Sequence, residues 1–161
     1  MAPITHSIEI DRAPEDVFAY LDDLERHREW QSQIVSSELL TPGPTQVGTR
    51  CTDVRKAGGR ELRITYEITE HSPPRSFAFR GVDGPVRPVG RGTVEPVDDG
   101  LRSRVTIELE MKGHGLMGQL MAPMARSQAK KQVPQDHQRL KEHLESAGAE
   151  PTATSSEPGQ E

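Results

Sequence analysis

The chain has 161 residues, enough for one domain and a tail, with 32% hydrophobic and 28% charged residues and a formal net charge of −5. Lys and Arg are scattered rather than gathered into a stripe, which argues against nucleic acid as a partner. One cysteine, Cys51, excludes a disulfide framework within the chain and makes the cytoplasm the default compartment; no apolar run reaches signal-peptide or membrane-spanning length.

Ile4, Ile8 and Ile10 fall at even spacing, the pattern of a half-buried first strand. Pro14 suits a first helical position, and Glu15 and Asp16 complement the positive end of the helix dipole. Val17, Phe18 and Leu21 give that helix its apolar face, and a second short helix is expected over Leu24 to Trp30. Strands are expected over Ile34 to Leu40 and Val47 to Lys56. After the hairpin signal Gly58-Gly59, Leu62, Ile64, Tyr66 and Ile68 alternate with polar residues. Phe77 and Phe79 mark the next strand, Val86 to Val97 a Gly-containing one, and Asp98-Asp99-Gly100 turns it into Leu101 to Met111.

Leu116, Leu120, Met124, Leu140 and Leu144 recur at near four-residue spacing, which predicts a long helix from about Leu116 to Glu145. Pro134 is expected to kink or break it, and its middle is polar. From Ser146 to Glu161 there is no Leu, Ile, Val or aromatic residue, so a domain over 1–146 and a disordered tail over 147–161 are expected. A mostly antiparallel sheet with one apolar face needs a cover, and only this helix is long enough to supply it.

The hairpin turns fix registers. A loop centred on Gly58-Gly59 sets Cys51 opposite Tyr66, Asp53 opposite Ile64 and Thr49 opposite Ile68, so Cys51 and Asp53 share the inward face. A one-residue slip would instead put Asp53 in water. The second turn sets Val94, Gly92 and Gly90 opposite Val105, Ile107 and Leu109. Two glycines at inward sites point either to a larger cavity or to a bulge or twist that needs glycine.

The run SIEIDRAPEDVFAYLDDLERHREW, followed in order by VGTRC, GGRELRITYEITEHSPPRSFAFRG, GTVEPVDDGLRSRVTIELEMKG and Leu140 to Leu144, resembles the polyketide cyclase/dehydrase and lipid-transport superfamily. These proteins are also called START-like, SRPBCC or birch-pollen-allergen-like. The resemblance implies an α+β helix-grip fold, a curved antiparallel sheet wrapped around a long C-terminal helix with an internal cavity. It does not select among cyclases, lipid carriers, receptors and co-chaperones.

The residues expected to line such a cavity are Trp30, Cys51, Ile64, Tyr66, Ile68, Phe77, Phe79, Gly92, Ile107, Leu109, Met117, Leu120, Met121 and Met124. Trp30 has a second reading, as a plug between helices and sheet. The leading function is binding of a small hydrophobic molecule, lipid or polyketide-like. The alternative is a cyclase or dehydratase in which Asp53 moves a proton and Tyr66 donates to an enolate oxygen, with Arg50 or Arg80 as further polar groups. A protein-interaction module is the third reading. Gly113 to Gly118 spells G-x-G-x-x-G, but no strand follows the helix, so a flexible corner is expected rather than a dinucleotide site. The six histidines show no i, i+4 pair and there is no Cys pair; neither a metal nor a cofactor is implied.

Overall fold

In the computed structural model, which describes residues 2–149, seven strands form one antiparallel sheet covered by a long helix. The order along the chain is β1 (Ile4–Ile10), α1 (Pro14–Leu21), a short 3-10 helix (Leu24–Glu29), β2 (Ile34–Leu39), β3 (Arg50–Ala57), β4 (Arg60–Ser72), β5 (Ser76–Gly81), β6 (Val86–Val97), β7 (Arg102–Gly113) and α2 (Gly115–Ala149). Across the sheet the strands run β1-β7-β6-β5-β4-β3-β2, so β1 returns to pair with β7 while the remaining neighbours are successive in the chain. Residues 150–161 of the expected tail lie outside the described residues.

Both turn-derived registers hold. Cys51 pairs with Tyr66 and Asp53 with Ile64 across β3–β4, and Val94, Gly92 and Gly90 pair with Val105, Ile107 and Leu109 across β6–β7. Gly58 and Gly59 have φ of 58° and 82°, the left-handed values that a tight two-residue hairpin requires. Bulges interrupt pairing between Ile34 and Ser36 and between Ile68 and Glu70, and each bends its strand locally.

The main core gathers Ile10, Val17, Phe18, Leu21, Trp30, Val94, Val105, Leu140 and Leu144, so α1 and the C-terminal half of α2 close one end of the sheet. A second cluster, Leu24, Cys51, Tyr66 and Ile68, lies toward the β2 edge.

The helix departs from expectation in two ways. Pro134 does not break it: the helix continues through both Pro123 and Pro134, and both prolines face solvent. Its first turns also do not pack as expected. Leu140 and Leu144 are buried, whereas Leu116, Met117, Leu120 and Met124 are exposed. Helix geometry accounts for this. Each residue turns about 100°, so a four-residue spacing drifts by about 40° per step. Over the 24 residues from Leu116 to Leu140 (140 − 116) the accumulated rotation leaves the two pointing about 120° apart. A single stripe cannot bury both ends.

Candidate functional site

Between α2 and the concave face of the sheet lies a cavity of about 250 Å³. Its walls are mainly apolar. Ile64, Tyr66, Ile68, Phe77, Phe79, Ile107 and Leu109 come from alternate positions of β4, β5 and β7, Trp30 closes one side, and Ala125, Ala129 and Val133 of α2 form the roof. Of the residues expected to line it, Met117, Leu120, Met121 and Met124 do not, because they precede the stretch of α2 that crosses the cavity. Cys51 is also not a wall residue: it is fully buried beside Leu24, Tyr66 and Ile68. Burial pushes its thiol pKa up to about 11, so the reactive thiolate is disfavoured.

Gly92 does border the cavity, but not as unfilled space. A Cβ there would stand 2.4 Å from the Phe77 ring, and one on Gly90 would stand 2.5 Å from the Phe79 ring. The two rings lie across the paired glycines of β6. Glycine is needed for this close approach of aromatic ring to backbone, and the expectation of a cavity enlarged at Gly92 is corrected accordingly. At the β7–α2 corner, a Cβ on Gly118 would stand 2.1 Å from the Pro85 carbonyl oxygen, so glycine there serves tight packing of the helix start.

One end of the cavity is polar. Asp53 faces inward and is buried, but it is not an isolated carboxylate. The Ser37 hydroxyl donates to its Oδ1 at 2.7 Å, and the Arg55 guanidinium lies 3.7 Å from its Oδ2. Arg55 also donates to the Gln31 side-chain carbonyl. Arg50 and Arg80, the further polar groups of the enzyme reading, instead flank Glu67 on the other face, at 3.8 and 3.1 Å. They are out of phase with Cys51 and Phe79, whereas Arg55 is in phase with Asp53.

His27 lines the cavity too. Its Nε2 donates to the Leu21 carbonyl at 2.7 Å, and burial lowers its pKa, so the ring is neutral with Nδ1 as its acceptor. From α2, Gln132 donates to Asp136 and to the Ser32 hydroxyl, both at 3.0 Å. The Asp136 pKa is raised by burial. His137 hydrogen-bonds through Nδ1 to Nδ1 of His6 on β1 at 2.7 Å, and burial, with His6 adding to it, lowers its pKa to about 4.

Two residues of the lining, Tyr66 and Trp30, each carry a buried donor, the hydroxyl and the Nε1–H, that meets no hydrogen-bond partner among the described residues. Burial raises the Tyr66 pKa well above its ordinary value, with the nearby Asp53 carboxylate adding to the effect. The phenol therefore keeps its proton and remains a donor.

Comparison with known proteins decides the family. The model for "Polyketide cyclase / dehydrase and lipid transport" matches residues 1–145. The chain belongs to that family. An uncharacterized protein of Mycobacterium tuberculosis is 27% identical over 137 residues, covering 79% of this chain and 88% of that protein. The fold is similar to that of the ZhuI aromatase/cyclase of a Streptomyces species, with a TM-score of 0.77 at 14% identity, covering 94% and 98% of the two chains. It is also similar to a START superfamily protein of Mycobacterium smegmatis, with a TM-score of 0.74 at 12% identity and coverage of 91% and 99%.

As a polyketide cyclase/dehydrase and lipid-transport family member, the chain has the helix-grip architecture that its motifs imply. Several polar groups of its cavity escaped sequence reasoning. Arg55 was within reach, because the Gly58-Gly59 register that turns Asp53 inward turns Arg55 inward as well. Asp136 and His137 precede Leu140 by four and three residues, the spacing of a shared helix face. His27 carries no such signal, since a 3-10 turn between two elements has no periodicity long enough to orient it.

Proposed function

We propose that this protein binds a small, mostly apolar molecule beneath α2, and that the molecule presents a hydrogen-bond-accepting oxygen to Tyr66 and Trp30. The observation that carries this reading is the pair of donors that, among the described residues, lack a partner in walls that are mainly apolar. A buried donor without an acceptor costs about 1–3 kcal/mol, and a ligand carbonyl or ether oxygen would recover that cost on binding. The cavity of about 250 Å³ is at or just below the lower end of drug-sized ligand sites, roughly 300–1,000 Å³, so the ligand is small or only partly enclosed.

The test is a matched pair of probes, an aryl ketone and the hydrocarbon of the same shape, titrated by calorimetry with the sole tryptophan, Trp30, as a fluorescence reporter. The ketone should bind more tightly by about tenfold, the worth of one to two hydrogen bonds. Equal affinities would remove the Tyr66 and Trp30 donors from the account.

A cyclase or dehydratase is the second reading, favoured by the presence of His27, Asp53 and Tyr66 in one cavity. In it Tyr66 donates to a developing enolate oxygen and a neutral His27 or the Asp53 carboxylate accepts the proton. Asp53 is the more encumbered of the two, since Ser37 and Arg55 already engage its oxygens. Turnover of a polyketide-like ketone that persists in both Asp53→Asn and His27→Asn would end this reading.

A further inference from the structure

The first three turns of α2 carry an apolar face that nothing among the described residues covers. Leu116, Met117, Leu120 and Met124 are 83, 63, 70 and 77% exposed. At about 100° per residue, these four and Lys131 fall within about 100° of one another. The direction is opposite to the face that buries Leu140. Four large apolar side chains on one exposed helix face are uncommon on a free surface and mark an interaction site.

Charge identifies the partner. From Met111 to Pro134 the sequence has no Asp or Glu and four cations, Lys112, Arg126, Lys130 and Lys131, a local charge of +4 in a chain of net −5. Lys130 and Lys131 are exposed, and Lys131 lies on the apolar face itself. Leucine and methionine on an exposed helix face flanked by lysines form the pattern of a helix lying in the interface of an anionic bilayer, its apolar side among the acyl chains and its cations at the headgroups. Among the described residues no helix is long and apolar enough to cross a membrane, so this contact is a docking one.

We propose that the face formed by Leu116, Met117, Leu120 and Met124, with Lys130 and Lys131, docks this protein on an anionic lipid surface. The face is separate from the cavity walls, and the proposal stands whatever the cavity holds. Docking would seat the bilayer against the same helix whose next turns, at Ala125 and Ala129, roof the cavity.

The experiment is co-sedimentation of the full chain with vesicles of phosphatidylcholine, with and without phosphatidylglycerol. Binding should be at least about tenfold stronger to the anionic vesicles and should weaken as salt is raised. The triple variant Leu116→Gln, Leu120→Gln, Met124→Gln should lose that binding while keeping its melting temperature, because the replaced side chains touch solvent. Lys130→Glu with Lys131→Glu provides a second, independent variant and should lose it as well. Wild-type protein that stays in the supernatant with both vesicle types would overturn the proposal. So would a triple variant that still sediments with anionic vesicles, or one whose only change is loss of a dimer in sedimentation velocity; the latter would make the face an interface between copies of the chain.

Discussion

Tyr66→Phe separates a donor held for a ligand from a hydroxyl that is merely buried. The wild-type hydroxyl is buried and, apart from the weakly accepting Cys51 sulfur, has no hydrogen-bond partner among the described residues. Removing its oxygen deletes a desolvation penalty of at least about 1 kcal/mol and leaves the ring packing against Phe79 in place. In a domain of this size, about 1 kcal/mol corresponds to a rise in melting temperature of roughly 2–4 °C. The ligand-bound state changes in the opposite sense. A ligand oxygen that satisfies the phenol in the wild type finds no donor in the variant, so affinity for the aryl ketone should fall by about fivefold or more, with no change for the hydrocarbon. Differential scanning calorimetry of the unliganded protein and titration with both probes read the two effects separately. A variant that melts lower than wild type without ligand would refute the reasoning, because the hydroxyl would then already have a partner inside the protein.

Leu140→Ala should cost roughly 2–5 kcal/mol in chemical denaturation, since the side chain is fully buried, while Leu116→Ala should change stability by less than about 0.5 kcal/mol. Gly92→Leu should lower stability severely rather than simply block probe binding, because its Cβ meets the Phe77 ring; if the paired change Phe77→Ala does not restore part of the loss, the ring contact is not the cause. His137 has a folded-state pKa of about 4 against an ordinary value of 6.5, so the unfolded chain takes up a proton more readily. Its contribution, on the order of 3 kcal/mol, is present above pH 6.5 and is lost as pH falls toward 4. Denaturation midpoints measured across that window should drop for wild type and drop less for His137→Leu; parallel profiles would assign the acid sensitivity elsewhere.

Much of the sheet was legible because its turns are chemically marked. Gly58-Gly59 and Asp98-Asp99-Gly100 set the registers of β3–β4 and β6–β7 by simple counting, and from them follow the inward positions of Asp53, Tyr66, Gly92 and Ile107. Alternation then named Ile64, Ile68, Phe77 and Phe79 as wall residues. The helix was harder to read. Its leucine spacing fixes a stripe but not its drift, so Leu116 and Leu120 fall in one series with Leu140 although they point away from the sheet. What Gly92 faces depends on the Phe77 ring crossing from the next strand, a tertiary contact that no pattern within β6 could specify. The polar end is assembled from β2, β3, the 3-10 turn and α2, and only the part on β3 follows from a hairpin register.

The most direct measurement is native mass spectrometry of the full chain purified from its own host. A bound small molecule, mainly apolar and carrying at least one oxygen, is the predicted result. That molecule should be absent from an Ile107→Trp variant, whose larger side chain would fill the cavity, provided the variant keeps a folded circular-dichroism spectrum. Wild-type protein that arrives empty and then takes up neither the ketone nor the hydrocarbon probe would contradict the account.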